Sequence, residues 1–167
     1  NKYVGEDHRQ RTLYASIETS VRYLDEKLRE LLSGLWIFHT RFLPETAAAI
    51  FDLETQDTED SLSPVPDRLG ILWQRGLLVR ETVTVRDGAL LFYRLLPTMR
   101  PYVEQQMEQA YDHNILQAKF GASYAPLAHF LYRELNLSST AASIALLTRE
   151  DLEQGASYVT GITQGYY

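Results

Sequence analysis

The 167-residue sequence has no cysteine. Disulfides, thiolate nucleophiles and cysteine-ligated zinc are therefore excluded, and a reducing, cytoplasmic setting is the compatible expectation. No apolar run reaches the length of a membrane span, and no signal-peptide pattern opens the chain, so no membrane partner is expected. Positive charge is scarce as well: 16 Lys and Arg against 22 Asp and Glu leave a net charge of −6. That balance disfavours a free-standing nucleic-acid binder, whose phosphate contacts need a basic surface, although a sum does not describe a local patch. No Gly-x-x-x-x-Gly-Lys, Gly-x-Ser-x-Gly or His-Glu-x-x-His motif occurs. The four histidines, His8, His39, His113 and His129, are too far apart for ligand spacing and read as ordinary helix residues. The sequence thus predicts no enzyme, no catalytic residue, no cofactor and no metal.

The composition is 45 % hydrophobic and 23 % charged, which suits one or two compact domains with a real core. The organising stretch is 63–103. There Pro66 suits the first turn of a helix, Leu69, Leu72 and Trp73 recur at helical spacing, and Gly76 supplies a C-cap. Two β-prone runs follow, 77–85 and 89–96, separated by Arg86, Asp87 and Gly88. Asp-Gly between apolar runs is a strong hairpin signal. Pro97 stops the pairing, and a helix is expected to settle by Pro101 with Tyr102, Val103 and Met107 facing inward. Helix, hairpin and helix in close succession read as a winged helix.

Before this stretch, residues 1–10 read as a loose polar lead-in. Leu13, Ile17, Val21 and Leu24 mark a first helix, and Asp25 is an N-cap for a second whose buried stripe is Leu28, Leu31, Leu32, Leu35 and Trp36. Phe38, Phe42 and Leu43 continue the apolar signal, and Pro44 opens a short alanine-rich helix. Residues Asp52, Glu54, Asp57, Glu59 and Asp60 form an acidic loop, read as solvated rather than metal-binding. After Tyr111 the pattern is helical only: a stripe of Leu116, Phe120, Tyr124, Leu127, Phe130, Leu131 and Leu135, a stop at Asn136, a cap at Ser138 or Ser139, and a capping box at 148–151 opening a last helix. These helices are repeat-like, but no repeat period is visible. The chain opens on Asn1 and is still amphipathic at Gln164 to Tyr167, as expected of a segment of a longer polypeptide.

Six arginines, Arg68, Arg75, Arg80, Arg86, Arg94 and Arg100, accompany Asp67, Glu81 and Asp87 between Val65 and Arg100. A DNA-reading winged helix would set Arg68, Arg75 and Arg86 on phosphates and its helix in the major groove. Leu69-Gly70-Ile71-Leu72-Trp73, however, has few polar side chains to read base edges.

Together 12–25 (TLYASIETSVRYLD), 31–38 (LLSGLWIF), Ala47-Ala48-Ala49, 69–78 (LGILWQRGLL) and 92–102 (FYRLLPTMRPY) resemble the region after the nucleotide-binding module in signal-transduction ATPases of the NB-ARC (STAND) type. The resemblance covers 12–108. It implies a winged helix that folds back on the ATPase module in the closed state and swings away on nucleotide exchange, followed by a helical sensor region. Many members carry Met-His-Asp in the closing segment, whereas this chain has Leu95, Leu96 and Pro97. The resemblance therefore implies an interdomain contact by packing around Leu96 and by Arg94 or Arg100, with no direct nucleotide contact.

The expectation is a mainly α protein with a small β-hairpin: a winged-helix regulatory domain over 11–110, then over 111–167 an α-helical, repeat-like scaffold of the kind that begins a tetratricopeptide-like array. Its partners would be the nucleotide-binding module of the same chain and a protein bound by the C-terminal helices. The alternative is a DNA-binding winged-helix transcriptional regulator.

Overall fold

A computed structural model describes residues 2–52, 63–86, 88–135 and 137–164, with side chains described from His8 through Thr160. Glu54, Asp57, Glu59 and Asp60 of the acidic loop, the turn residue Asp87, the helix stop Asn136 and the terminal Gly165, Tyr166 and Tyr167 lie outside the described residues.

Among the described residues the protein is mainly helical with one two-stranded antiparallel sheet. Helix α1 spans Lys2–Arg22, and α2 spans Glu26–Gly34 and runs into a 3-10 turn at Leu35–Ile37. Then come α3 (Pro44–Phe51), α4 (Val65–Gln74), strands β1 (Leu78–Val85) and β2 (Gly88–Leu95), and α5 (Arg100–Gln105). Helices α6 (His113–Glu134), α7 (Ser139–Leu147) and α8 (Arg149–Gln164) follow.

Local chemistry explains most boundaries. The Asp25 carboxylate accepts the Leu28 N–H at 2.9 Å, and Asp112 and Ser138 cap α6 and α7 in the same way. Helix α4 ends in a Schellman motif. Gly76 takes φ +74°, its N–H donates to the Trp73 carbonyl, and the Leu77 N–H donates to that of Leu72. The buried Leu72 and Leu77 side chains supply the apolar contact that goes with such a cap. The hairpin register runs from Leu78 opposite Leu95 to Val85 opposite Gly88. Phe42 and Tyr93 exchange two backbone hydrogen bonds of 2.9 Å, so the segment after the 3-10 turn lies along the outer edge of β2.

Two sequence expectations need correction. The lead-in over 2–10 is helical, part of α1. It holds no proline, and Tyr14, Ile17 and Val21 anchor the later turns, from which helix propagates at little further cost. The capping box at 148–151 does not form. The Thr148 hydroxyl donates back to the Ile144 carbonyl at 2.8 Å, and Asp151 bonds to a different part of the protein.

One apolar cluster runs through the molecule. It includes Ile17, Leu31, Leu32, Phe42, Leu69 and Val103, extends to Leu116, Phe120 and Tyr124 of α6, and has Leu152 and Tyr158 of α8 packed on it. Phe38 bridges the two parts, stacked on Phe42 at 4.0 Å between ring centroids and edge-on to Phe120. Helices α6 and α8 cross closely because Gly121 and Gly155 lie where they meet. A Cβ on Gly155 would sit 2.7 Å from that of Tyr124.

Candidate functional site

The region that joins the hairpin half to the C-terminal helices concentrates the buried polar chemistry. Asp151, in the first turn of α8, is fully buried. Its carboxylate accepts the His39 N–H at 2.7 Å, the Thr40 N–H at 3.3 Å and the Thr40 hydroxyl at 2.9 Å. Burial pushes the carboxyl up to about 6, against the lowering effect of these donors. The geometry ties the start of α8 to the turn just before Phe42.

His39 lies across this tie. Its Nε2 is 3.2 Å from Nη2 of Arg100, and its Nδ1 is 3.9 Å from the Glu150 carboxylate. Burial and then the neighbouring Arg100 charge lower its pKa. A neutral ring that accepts from Arg100 through Nε2 and carries its proton on Nδ1 suits both neighbours. Arg100 Nε and the Tyr124 hydroxyl are buried without a hydrogen-bond partner among the described residues. Burial, reinforced by the Asp151 charge, drives the Tyr124 hydroxyl well above its ordinary range. Beside the cluster is an open groove of about 420 Å³ lined by Thr40, Arg41, Leu146, Leu147, Arg149, Glu150 and Glu153.

This arrangement holds structure together. The Asp151 carboxylate is spent on two backbone N–H groups and the Thr40 hydroxyl, and none of the described hydrogen bonds gives His39 a nucleophile to activate. Among the described residues no cluster of His, Asp and Glu has metal-binding geometry. No helix among them is long and apolar enough to cross a membrane.

The residues expected to meet an ATPase module face elements of this chain. Arg94 Nε donates to Glu81 at 2.7 Å, and Arg41 donates to the other carboxylate oxygen. These two hydrogen bonds lower the Glu81 pKa. Arg100 is held by His39, next to α8, and Leu96 is half-buried against the core. Arg94 and Arg100 therefore serve different networks.

The residues expected to meet DNA are not brought together. Arg68 is only 6 % exposed, pairs with Asp52 at 3.2 Å and donates through Nε to the Ser63 carbonyl. Arg75, the C-cap of α4, and Arg86, at the hairpin tip, are exposed. The outward residues of α4 are Pro66, Asp67 and Gln74, with Gly70, Ile71 and Trp73 half-buried. The Arg80 guanidinium lies 3.6 Å over the Trp73 ring.

The sequence reading missed His39, Tyr124 and Asp151. Asp151 had a visible signal, an acid three residues after a threonine, but a local cap uses the same spacing. Neither the sequence spacing nor local propensity reveals a bond to a turn more than a hundred residues away. Also unexpected is the cover on the hairpin. Phe92 lies on the face opposite Leu78, Tyr93 and Leu95, outside the main apolar cluster, yet is fully buried, and α7 packs against β1. Compared with protein-family models, with curated proteins and with solved structures, the chain shows no match.

Proposed function

We propose that this chain is a non-catalytic regulatory segment of a STAND-type signalling ATPase, in which a winged helix packs on the nucleotide-binding module and the C-terminal helices serve as a sensor or protein-interaction region. The element order supports the winged-helix reading: helix α2, a bridging segment at Phe42, helices α3 and α4, then the hairpin, with Phe42 paired to Tyr93. The observation that carries the protein-facing reading is the outer face of α4. In a DNA reader this helix would present several Arg, Lys or amide side chains to base edges, but here Gln74, at its last position, is the one such exposed side chain, beside Pro66, Asp67, Gly70 and Ile71.

The mechanism is conformational. In the present state α8 is tied to the 39–40 turn by Asp151, and Arg94 and Arg100 are engaged internally. A ligand that binds the C-terminal helices better in a released state shifts the population toward it and frees Arg100 for another surface. The reading requires a nucleotide-binding module with a phosphate-cradling loop in the intact polypeptide. Sequencing that polypeptide and finding no such module would overturn it.

The exposed positions of Arg75 and Arg86 keep the DNA-binding alternative testable. Fluorescence anisotropy with a mixed-sequence duplex at low and moderate salt should show no binding. Salt-sensitive binding, weakened by Arg75→Glu with Arg86→Glu, would favour the transcriptional regulator instead. Arg68→Glu is a poor probe, because it would leave a buried carboxylate facing Asp52.

A further inference from the structure

On α1 the spacing of Tyr14, Glu18, Val21 and Arg22 puts these side chains on one stripe of the helix, and on α2 Glu26, Arg29 and Glu30 share another. An open groove of about 590 Å³ lies between α1, α2 and the end of α5, with Met107 and Glu108 in its lining. Val21 and Tyr102 bring buried apolar surface to it, and Met107 is half-buried.

Tyr102 departs from the usual pattern. It is 7 % exposed, and its ring meets that of Tyr14 edge-on at 5.5 Å between centroids. A tyrosine buried to this degree ordinarily gives its hydroxyl a hydrogen-bond partner, yet this one has none among the described residues. Unlike the hydroxyl of Tyr124 it is not sealed in protein but opens on the groove. Burial and then the Glu18 charge raise its pKa, so the Glu18 carboxylate stands near it. Glu18, Glu26 and Glu108 are exposed and have no ion pair among the described residues, whereas Glu30 is engaged by Lys27 at 3.1 Å. Four carboxylates against Arg22 and Arg29 leave the lining acidic, in a chain whose net charge is −6.

We propose that this groove docks a basic segment of a partner protein, with an arginine or lysine side chain of that segment seated over Tyr102. The aliphatic stem of such a side chain lies on Val21, Met107 and the Tyr102 ring, and its charged head donates to the Tyr102 hydroxyl and to Glu18. One cation with several donors thus satisfies a hydroxyl and an acid that the chain leaves unpaired. Glu26 and Glu108 take further basic residues, while Arg22 and Arg29 disfavour an unbroken cationic run and favour basic residues separated by apolar ones. A pocket for a free small cation would bury most of its surface, whereas an open groove leaves one side of a bound segment to the protein that presents it. No described residue of α6 to α8 lines the groove, so the site is separate from the C-terminal helices and does not rest on the ATPase reading.

Fluorescence anisotropy of this chain with a labelled peptide of Ala-Arg-Leu repeats tests the proposal. The basic peptide should bind, more weakly as salt rises, and a matched peptide of Ala-Glu-Leu repeats should not. Tyr102→Phe should weaken binding about threefold or more and leave the thermal midpoint unchanged, because the hydroxyl it removes has no partner to lose. Glu18→Gln together with Glu108→Gln should weaken binding about tenfold. Asp67→Asn, at an exposed position of α4 outside the groove, should leave it unchanged. If Asp67→Asn weakens binding as much as the groove variants do, or Tyr102→Phe has no effect, the attraction is diffuse and the proposal is overturned. Failure of the basic peptide to bind would overturn it too. So would displacement of the peptide by spermidine at equal concentration, which would give the groove to a free polyamine.

Discussion

The hairpin half and the C-terminal helices are stabilised in different ways. From α2 to α5 every element sends side chains into one dry cluster, and Leu31, Leu32, Phe42, Leu69 and Val103 are fully buried. From α6 to α8 the apolar residues are divided. Leu116, Phe120 and Tyr124 join that cluster, but Ile115, Phe130, Tyr132, Leu137 and Leu146 face solvent. The second region thus borrows its core from the first and adds a glycine-mediated helix crossing and one buried carboxylate tie. The two regions are therefore expected to differ in local stability, the C-terminal helices opening more readily than the hairpin half.

Substitutions in order of decreasing effect sharpen that contrast. Phe42→Ala removes a fully buried ring stacked on Phe38, at the point where the bridge to β2 begins. It should cost about 3–5 kcal/mol by chemical denaturation and lower protection in both halves. Gly155→Leu forces a side chain into the α6–α8 crossing, where even a Cβ meets Tyr124 at 2.7 Å. About 2–3 kcal/mol is expected. Hydrogen exchange should show α8 losing protection while β1 and β2 keep theirs, and equal loss in both would mean that the halves open as one unit.

Asp151→Asn probes the tie itself. The carboxyl is raised from 3.8 to about 6 by burial, so the folded protein holds this proton more tightly than the unfolded chain does. Its contribution to stability is therefore greatest below 3.8 and declines as pH rises toward 6, by up to about 3 kcal/mol. His39, whose pKa is lowered from 6.5, has the opposite sign and loses its contribution as pH falls below that value. In thermal melts across pH 4 to 7, the Asn variant should lose the Asp151 decline and keep the His39 one. An unchanged wild-type profile would refute the assignment. At the small end, Leu146→Ser, on a side chain 75 % exposed, should shift stability by no more than about 0.5 kcal/mol.

Much of the fold was legible because its signals are local. Asp25, Ser138, Pro44 and Gly76 act on neighbours within a few residues, so their caps and turns form as read. The hairpin was legible for the same reason, since two β-prone runs flanking Asp-Gly pair in only one sensible register. The candidate site was not, because the same residue types serve local and distant ends. Arg68 on a short helix looks like a phosphate ligand until Asp52 and Ser63 close over it. Thr148 and Asp151 look like a cap until the 39–40 turn offers three donors in a place that water cannot reach.

By itself the sequence determined the helical class, the hairpin and its boundaries, the lack of thiol chemistry and most helix starts, all of which follow from periodicity and from interactions a few residues long. Only the tertiary structure decided which charges are buried, that α7 packs against β1, that Phe92 is fully buried, and that Asp151 joins α8 to residues 39 and 40. The physical reason is that desolvation and long-range hydrogen bonds depend on which surfaces meet, and no spacing within one segment encodes that meeting.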